Sequence, residues 1–219
     1  MTLAMKGDNI MRKLWIACLG VLMILGLMGC GTESGKTEEK AAPAPAQTTA
    51  QADSKAPAAK GKILVAYFSA TGNTKQLAEN AAKALGADLY EIRPAKAYTS
   101  EDLNYNDEKT RATVEQKNDS ARPELADKNA PIASYETIVL AYPVWWSQAP
   151  RIMDTFVESY DFTGKKMTAI CTSGGSDIGS SADYLQKITK GKAEWKPGKL
   201  FAPQADGKEI KTWFDGLGF

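Results

Sequence analysis

Polar and apolar positions divide the chain into three parts. An uncharged apolar run covers residues 14–28, and residues 31–60 then carry no aromatic and no branched aliphatic side chain. From residue 62 onward, short apolar runs alternate with amphipathic stretches. Residues 63–68 are apolar on both faces, which predicts a buried strand. Leu77, Ala78, Ala81, Ala82 and Leu85 then recur at helical spacing until Gly86, a plausible helix stop. Further strands are predicted at 88–93, 137–142, 166–172 and 199–202, and helices at 149–159, 180–188 and 206–217. The long charged connection 94–134 is expected to hold one polar helix near 106–117. Strands alternating with helices argue for a parallel sheet covered on both faces, and five strands in a doubly wound arrangement are the most economical solution.

In such sheets ligands bind beyond the carboxyl ends of the strands, and three loops there look specialised. Ser69, Ala70, Thr71, Gly72, Asn73 and Thr74 follow the first strand and lead into a helix. Backbone N–H groups, a helix N-terminus and hydroxyls together make an anion site. The loop lacks the lysine of nucleoside-triphosphate loops and the glycine spacing of dinucleotide folds. Pro143, Val144, Trp145 and Trp146 form the second loop. Either tryptophan alone reads as a packing residue, but two in tandem cannot both face one core, so at least one is expected to wall the cleft. Thr172, Ser173, Gly174 and Gly175 open the third loop, where small residues let a backbone approach a flat ring. Asp177 is either a cap for the helix after it or a group near the ligand, with the cap preferred.

Composition narrows the chemistry. The 219-residue chain has no histidine, which excludes Ser–His–Asp and Cys–His sites and a His-ligated metal. Lys and Arg number 27 against 26 Asp and Glu, so no basic excess points to nucleic acid. Lys6, Arg12 and Lys13 precede the apolar run 14–28, which is shorter than the roughly 20 residues a spanning helix needs. That pattern reads as a secretory signal. Leu27-Met28-Gly29-Cys30 resembles the lipobox of bacterial lipoproteins, which implies cleavage before Cys30 and acylation of its thiol. An ordinary signal peptide with an incidental cysteine is the alternative. Residues 1–29 are thus expected to be a lipoprotein signal peptide and residues 30–60 a lipidated Cys with an Ala/Pro-rich tether. Such a tether cannot bury enough apolar surface to order itself. Residues 61–219 then form one domain. Of the three cysteines, Cys18 leaves with the signal and Cys30 carries the anchor, so Cys171 has no intramolecular disulfide partner.

Taken together and in this order, the three loops resemble those of a flavodoxin, of the branch with a tandem Trp in its second loop. The resemblance runs over residues 62–219. It implies a flavodoxin-like three-layer fold with sheet order 2-1-3-4-5 and non-covalent FMN. The first loop would hold the phosphate, the second would pack one side of the isoalloxazine, and the third would line its pyrimidine edge. Two departures stand out: the domain is near neutral where many members are acidic, and its second loop lacks a glycine. The function implied is an electron carrier, anchored outside the cytoplasmic membrane and serving redox partners there, with no catalytic side chain. An FMN-dependent NAD(P)H:quinone-type reductase is the alternative, and a flavin-free surface lipoprotein a third.

Overall fold

The computed structural model describes residues 61–218; the expected signal segment, Cys30 and tether lie outside the described residues. The chain order is β1 (Ile63–Tyr67), α1 (Asn73–Leu85), β2 (Asp88–Glu91), α2 (Arg111–Lys117), β3 (Thr137–Pro143), α3 (Arg151–Ser159), β4 (Lys166–Thr172), α4 (Ser181–Ile188), β5 (Glu194–Trp195), β6 (Lys199–Leu200) and α5 (Gly207–Asp215). All strand pairs are parallel and the spatial order is β2-β1-β3-β4-β5, the expected 2-1-3-4-5.

Strand residues alternate between two cores, as a pleated sheet requires. Val65, Tyr67, Val139, Ala141 and Ile170 pack on the face covered by α1 and α5. Leu64, Ala66, Ile138, Leu140, Tyr142 and Met167 point to the other face, with Phe156 of α3 and Leu185 of α4. β3 sits at the centre, and five of its seven residues, Ile138–Tyr142, are inaccessible to solvent.

Three expectations are corrected. The last strand, expected at 199–202, is shortened to β6, which pairs the end of β4, and a further two-residue strand that the pattern did not predict, β5, pairs its start, giving six strands. Lys196-Pro197-Gly198 breaks the ladder between them. Pro197 has no N–H to donate, and a Cβ on Gly198 would stand 2.9 Å from Ile178 Cδ1. The polar helix expected from 106 begins only at Arg111. Asn104 and Asp107 hold residues 104–110 in turns, accepting from Asn106 N–H at 3.2 Å and Lys109 N–H at 2.9 Å. The helix expected from 149 starts at Arg151, because Pro150 keeps Ala149 out of helical conformation.

Candidate functional site

The chain leaves β2 at one side of the sheet and re-enters as β3 beyond β1, so the winding reverses between β1 and β3. That reversal opens a crevice at their carboxyl ends. The first loop reaches α1 through Gly72 at φ +91°, a left-handed conformation that glycine takes without steric penalty. The Gly72 N–H donates to Ser69 Oγ at 3.1 Å and closes the loop on itself. The first-turn N–H groups of α1 have no partner within the helix and carry the positive end of its dipole. Thr74 Oγ1 and Thr172 Oγ1 share a buried hydrogen bond of 2.8 Å, which fastens the first loop to the third.

The second loop is a two-residue hairpin. Trp145 and Gln148 exchange both backbone hydrogen bonds, at 2.9 and 3.0 Å. Trp146 and Ser147 occupy the tip at φ +48° and +59°. Both central residues being left-handed is the geometry for which Asn-Gly is usually selected. The two indoles diverge: Trp145 is 5% exposed within the core, while Trp146 is 42% exposed. Trp145 is gripped edge-on by Phe68 and Tyr98, with ring centroids at 5.7 and 5.4 Å. Tyr98 is itself capped by the Arg111 guanidinium at 4.0 Å. Its hydroxyl donates to Glu115, and burial, foremost, holds its pKa well above the usual tyrosine value.

In the third loop Ser173 Oγ accepts from the Gly175 N–H at 3.1 Å. Asp177 is not the cap of the next helix. Its carboxylate accepts from the Gly179 N–H at 2.9 Å, and α4 starts two residues later, after Ser180. Gly179, at φ +53°, lies against the Trp hairpin, where an added Cβ would stand 2.8 Å from Ser147 O.

These loops enclose a cleft of about 550 Å³. Ala70, Thr71, Asn73 and Thr74 line it from the first loop, Pro143, Val144, Trp145 and Trp146 from the second, and Thr172, Ser173, Gly174 and Gly175 from the third. Ser69 and Gly72 do not line it; they shape the first loop from behind. Three lining residues escaped sequence reasoning: Tyr105, Ser176 and Pro203. Ser176 merely extends the third loop, and Pro203 follows β6, so the strand-end rule could have found both. Tyr105 comes from the crossover between β2 and α2, where its signal was an isolated aromatic in a polar turn.

No lining residue carries a charge, so an anion here is held by hydrogen bonds and the helix dipole. Cβ atoms added at Gly174 and Gly175 would meet nothing within 4 Å. That stretch of backbone therefore stands open to a ligand. Burial pushes the Cys171 thiol up to about 12, which keeps it protonated and chemically inert. Among the described residues, no group of three or more His, Cys, Asp or Glu side chains is placed to hold a metal.

Behind the hairpin lies a buried polar cluster. Gln116 Nε2 donates to Ala149 O at 3.1 Å, and Arg151 donates to Gln116 O at 3.0 Å and to Asp154 Oδ2 at 3.1 Å. Burial pushes the Asp154 carboxyl up to about 6 despite its two arginine neighbours, Arg151 and Arg122. The cluster ties α2 to the segment that joins the hairpin to α3.

Comparison with known proteins agrees with this geometry. The family model for flavodoxin matches residues 62–217. A protein described as a flavoprotein of Bacteroides eggerthii DSM 20697 is 42% identical, with a TM-score of 0.68 over 73% of this chain and 99% of its own. A second, from Bacteroides uniformis ATCC 8492, is 41% identical, with a TM-score of 0.66 over 71% of this chain and 98% of its own. A flavoprotein of Lactobacillus acidophilus NCFM, solved in complex with FMN, shares the fold at 19% identity, with a TM-score of 0.54 over 71% of this chain and 99% of its own. No curated protein matches. With the reversal point, the three loops and the cleft in place, the family match over nearly the whole described domain settles the lineage: the chain belongs to the flavodoxin family.

Proposed function

We propose that this chain is an FMN-binding electron-transfer protein, held outside the cytoplasmic membrane by an acylated Cys30. The observation that carries the flavin reading is one uncharged cleft with a helix N-terminus at one end, two indoles on a wall and open glycine backbone opposite. The Lactobacillus relative's complex with FMN supports it. Thr71, Asn73, Thr74 and the first-turn N–H groups of α1 would hold the phosphate by hydrogen bonds. Trp146, with Pro143 and Val144, would pack against the ring, and Thr172, Ser173, Gly174 and Gly175 would meet its polar edge. Bound FMN supplies reversible one- and two-electron chemistry. The side chains around it are uncharged and non-nucleophilic, so their work is to bind, orient and exclude water. Anchoring rests on the lipobox resemblance, and the electron-transfer role on the flavodoxin family match.

The test is an absorption spectrum of the full chain, purified in detergent, after FMN is added and the excess removed. Retained flavin bands are expected. Trp145 is a core residue whose truncation destabilises the fold by about 3–5 kcal/mol, so Trp146→Ala is the cleaner probe. That variant is expected to fold normally and to bind FMN at least tenfold more weakly, a loss of about 1.4 kcal/mol. A colourless wild-type protein would sink the flavin reading. Rapid NAD(P)H oxidation with a quinone acceptor would instead favour the FMN-dependent reductase.

A further inference from the structure

We infer that Tyr105 is a binding residue that covers the apolar edge of the flavin ring, making the β2–α2 crossover a fourth wall of the site; this rests on the FMN reading above. Tyr105 is 51% exposed yet lines the cleft. Its ring stands nearly perpendicular to both indoles, 6.3 Å from Trp145 at 67° and 5.2 Å from Trp146 at 71°. A flat ligand lying along the face of Trp146 is therefore steeply tilted to the Tyr105 ring and does not stack on it face to face.

Topology says which edge. The crossover leaves β2, on one side of β1 and β3, whereas the Thr172–Gly175 loop follows β4 on the other side. A ring whose polar pyrimidine edge meets that loop turns its opposite edge, the apolar dimethylbenzene one, toward Tyr105. The chemistry there matches, since Tyr105, Trp145 and Trp146 are aromatic and no charged side chain lines the cleft. The dimethylbenzene edge has no hydrogen-bonding group for the Tyr105 hydroxyl to meet, so the contact made there is that of the ring.

The position is also built rather than incidental. Asn104 O accepts from Asp107 N–H at 3.1 Å and from Thr110 Oγ1 at 3.2 Å, and Asn104 Oδ1 accepts from Asn106 N–H at 3.2 Å. The turn is thus bonded on both sides of Tyr105, and the ring is presented at little ordering cost on binding.

The experiment titrates the full chain in detergent with FMN and with 7,8-didemethyl-FMN, following flavin fluorescence. Wild-type protein is expected to prefer FMN by roughly tenfold, the worth of burying two methyl groups. Tyr105→Ala is expected to weaken FMN binding about tenfold and to bind both flavins alike, with unchanged thermal unfolding of the flavin-free protein. Tyr105→Phe retains the affinity and the preference. Wild-type binding with a Tyr105→Ala variant that still prefers FMN overturns this assignment alone. No FMN binding by the wild-type protein overturns both the assignment and the reading it rests on.

Discussion

Trp146 and Ser147 occupy a backbone region that costs side chains of L-residues roughly 1–2 kcal/mol each. The hairpin holds because Trp145 and Gln148 close it with two hydrogen bonds and because Gly179 leaves room beneath it. Gly179→Ala is expected to destabilise the protein by about 2–3 kcal/mol, combining left-handed strain with a clash against Ser147 O. Gly86→Ala is the control: it has φ +61° but open space around its Cβ, so it should cost only about 1 kcal/mol. Thermal unfolding of the two variants separates the terms; equal losses would show that the hairpin does not press on Gly179. At this scale the sequence was legible where a residue type forces a conformation, as Gly86 does. It was silent where Trp-Ser takes a conformation usually reserved for Asn-Gly. The exposed ring of Tyr105 was equally hard to see, since contact with Trp146 across 41 positions leaves no local periodicity.

Between elements, the cluster of Arg151, Asp154 and Gln116 couples α2 to α3 just behind the hairpin. A buried ion pair adds little net stability, but losing one partner costs about 3–5 kcal/mol because the other charge is left uncompensated. Arg151→Ala is therefore expected to be far more damaging than loss of the exposed Lys75–Glu79 pair. The carboxyl of Asp154 titrates near 6 in the folded chain and near 3.8 when unfolded. The folded state thus holds its proton more tightly, so this group's contribution is greatest below about pH 4 and is lost as pH rises through 6. The stability difference between wild type and Asp154→Asn is expected to fall by on the order of 2 kcal/mol from pH 4 to 6.5. A pH-independent difference in denaturant midpoints across that window would refute it. Strong periodicity made β4 readable to the residue, and α1 nearly so. Elements whose boundaries depend on side-chain-to-backbone competition, such as the start of α2 at Arg111, or on one dipeptide pairing, such as β5, were not readable from pattern alone.

For the molecule as a whole, the doubly wound arrangement followed from the alternation of apolar runs and amphipathic helices, because right-handed crossovers leave few others, and the strand order came with the family resemblance. Three walls of the cleft were legible for the same reason: the strand-end rule names the loops that must converge. The proposed anchor is tested by Cys30→Ser, which is expected to move the protein from the membrane fraction to the soluble exported fraction; unchanged membrane association would refute lipidation at that cysteine. The margins of the sheet bear on how the protein behaves at high local concentration. They are a four-residue strand, β2, and a pair of two-residue fragments separated by Pro197. Neither offers a long, straight row of unpaired amides, so copies brought close together find little template for edge-to-edge aggregation.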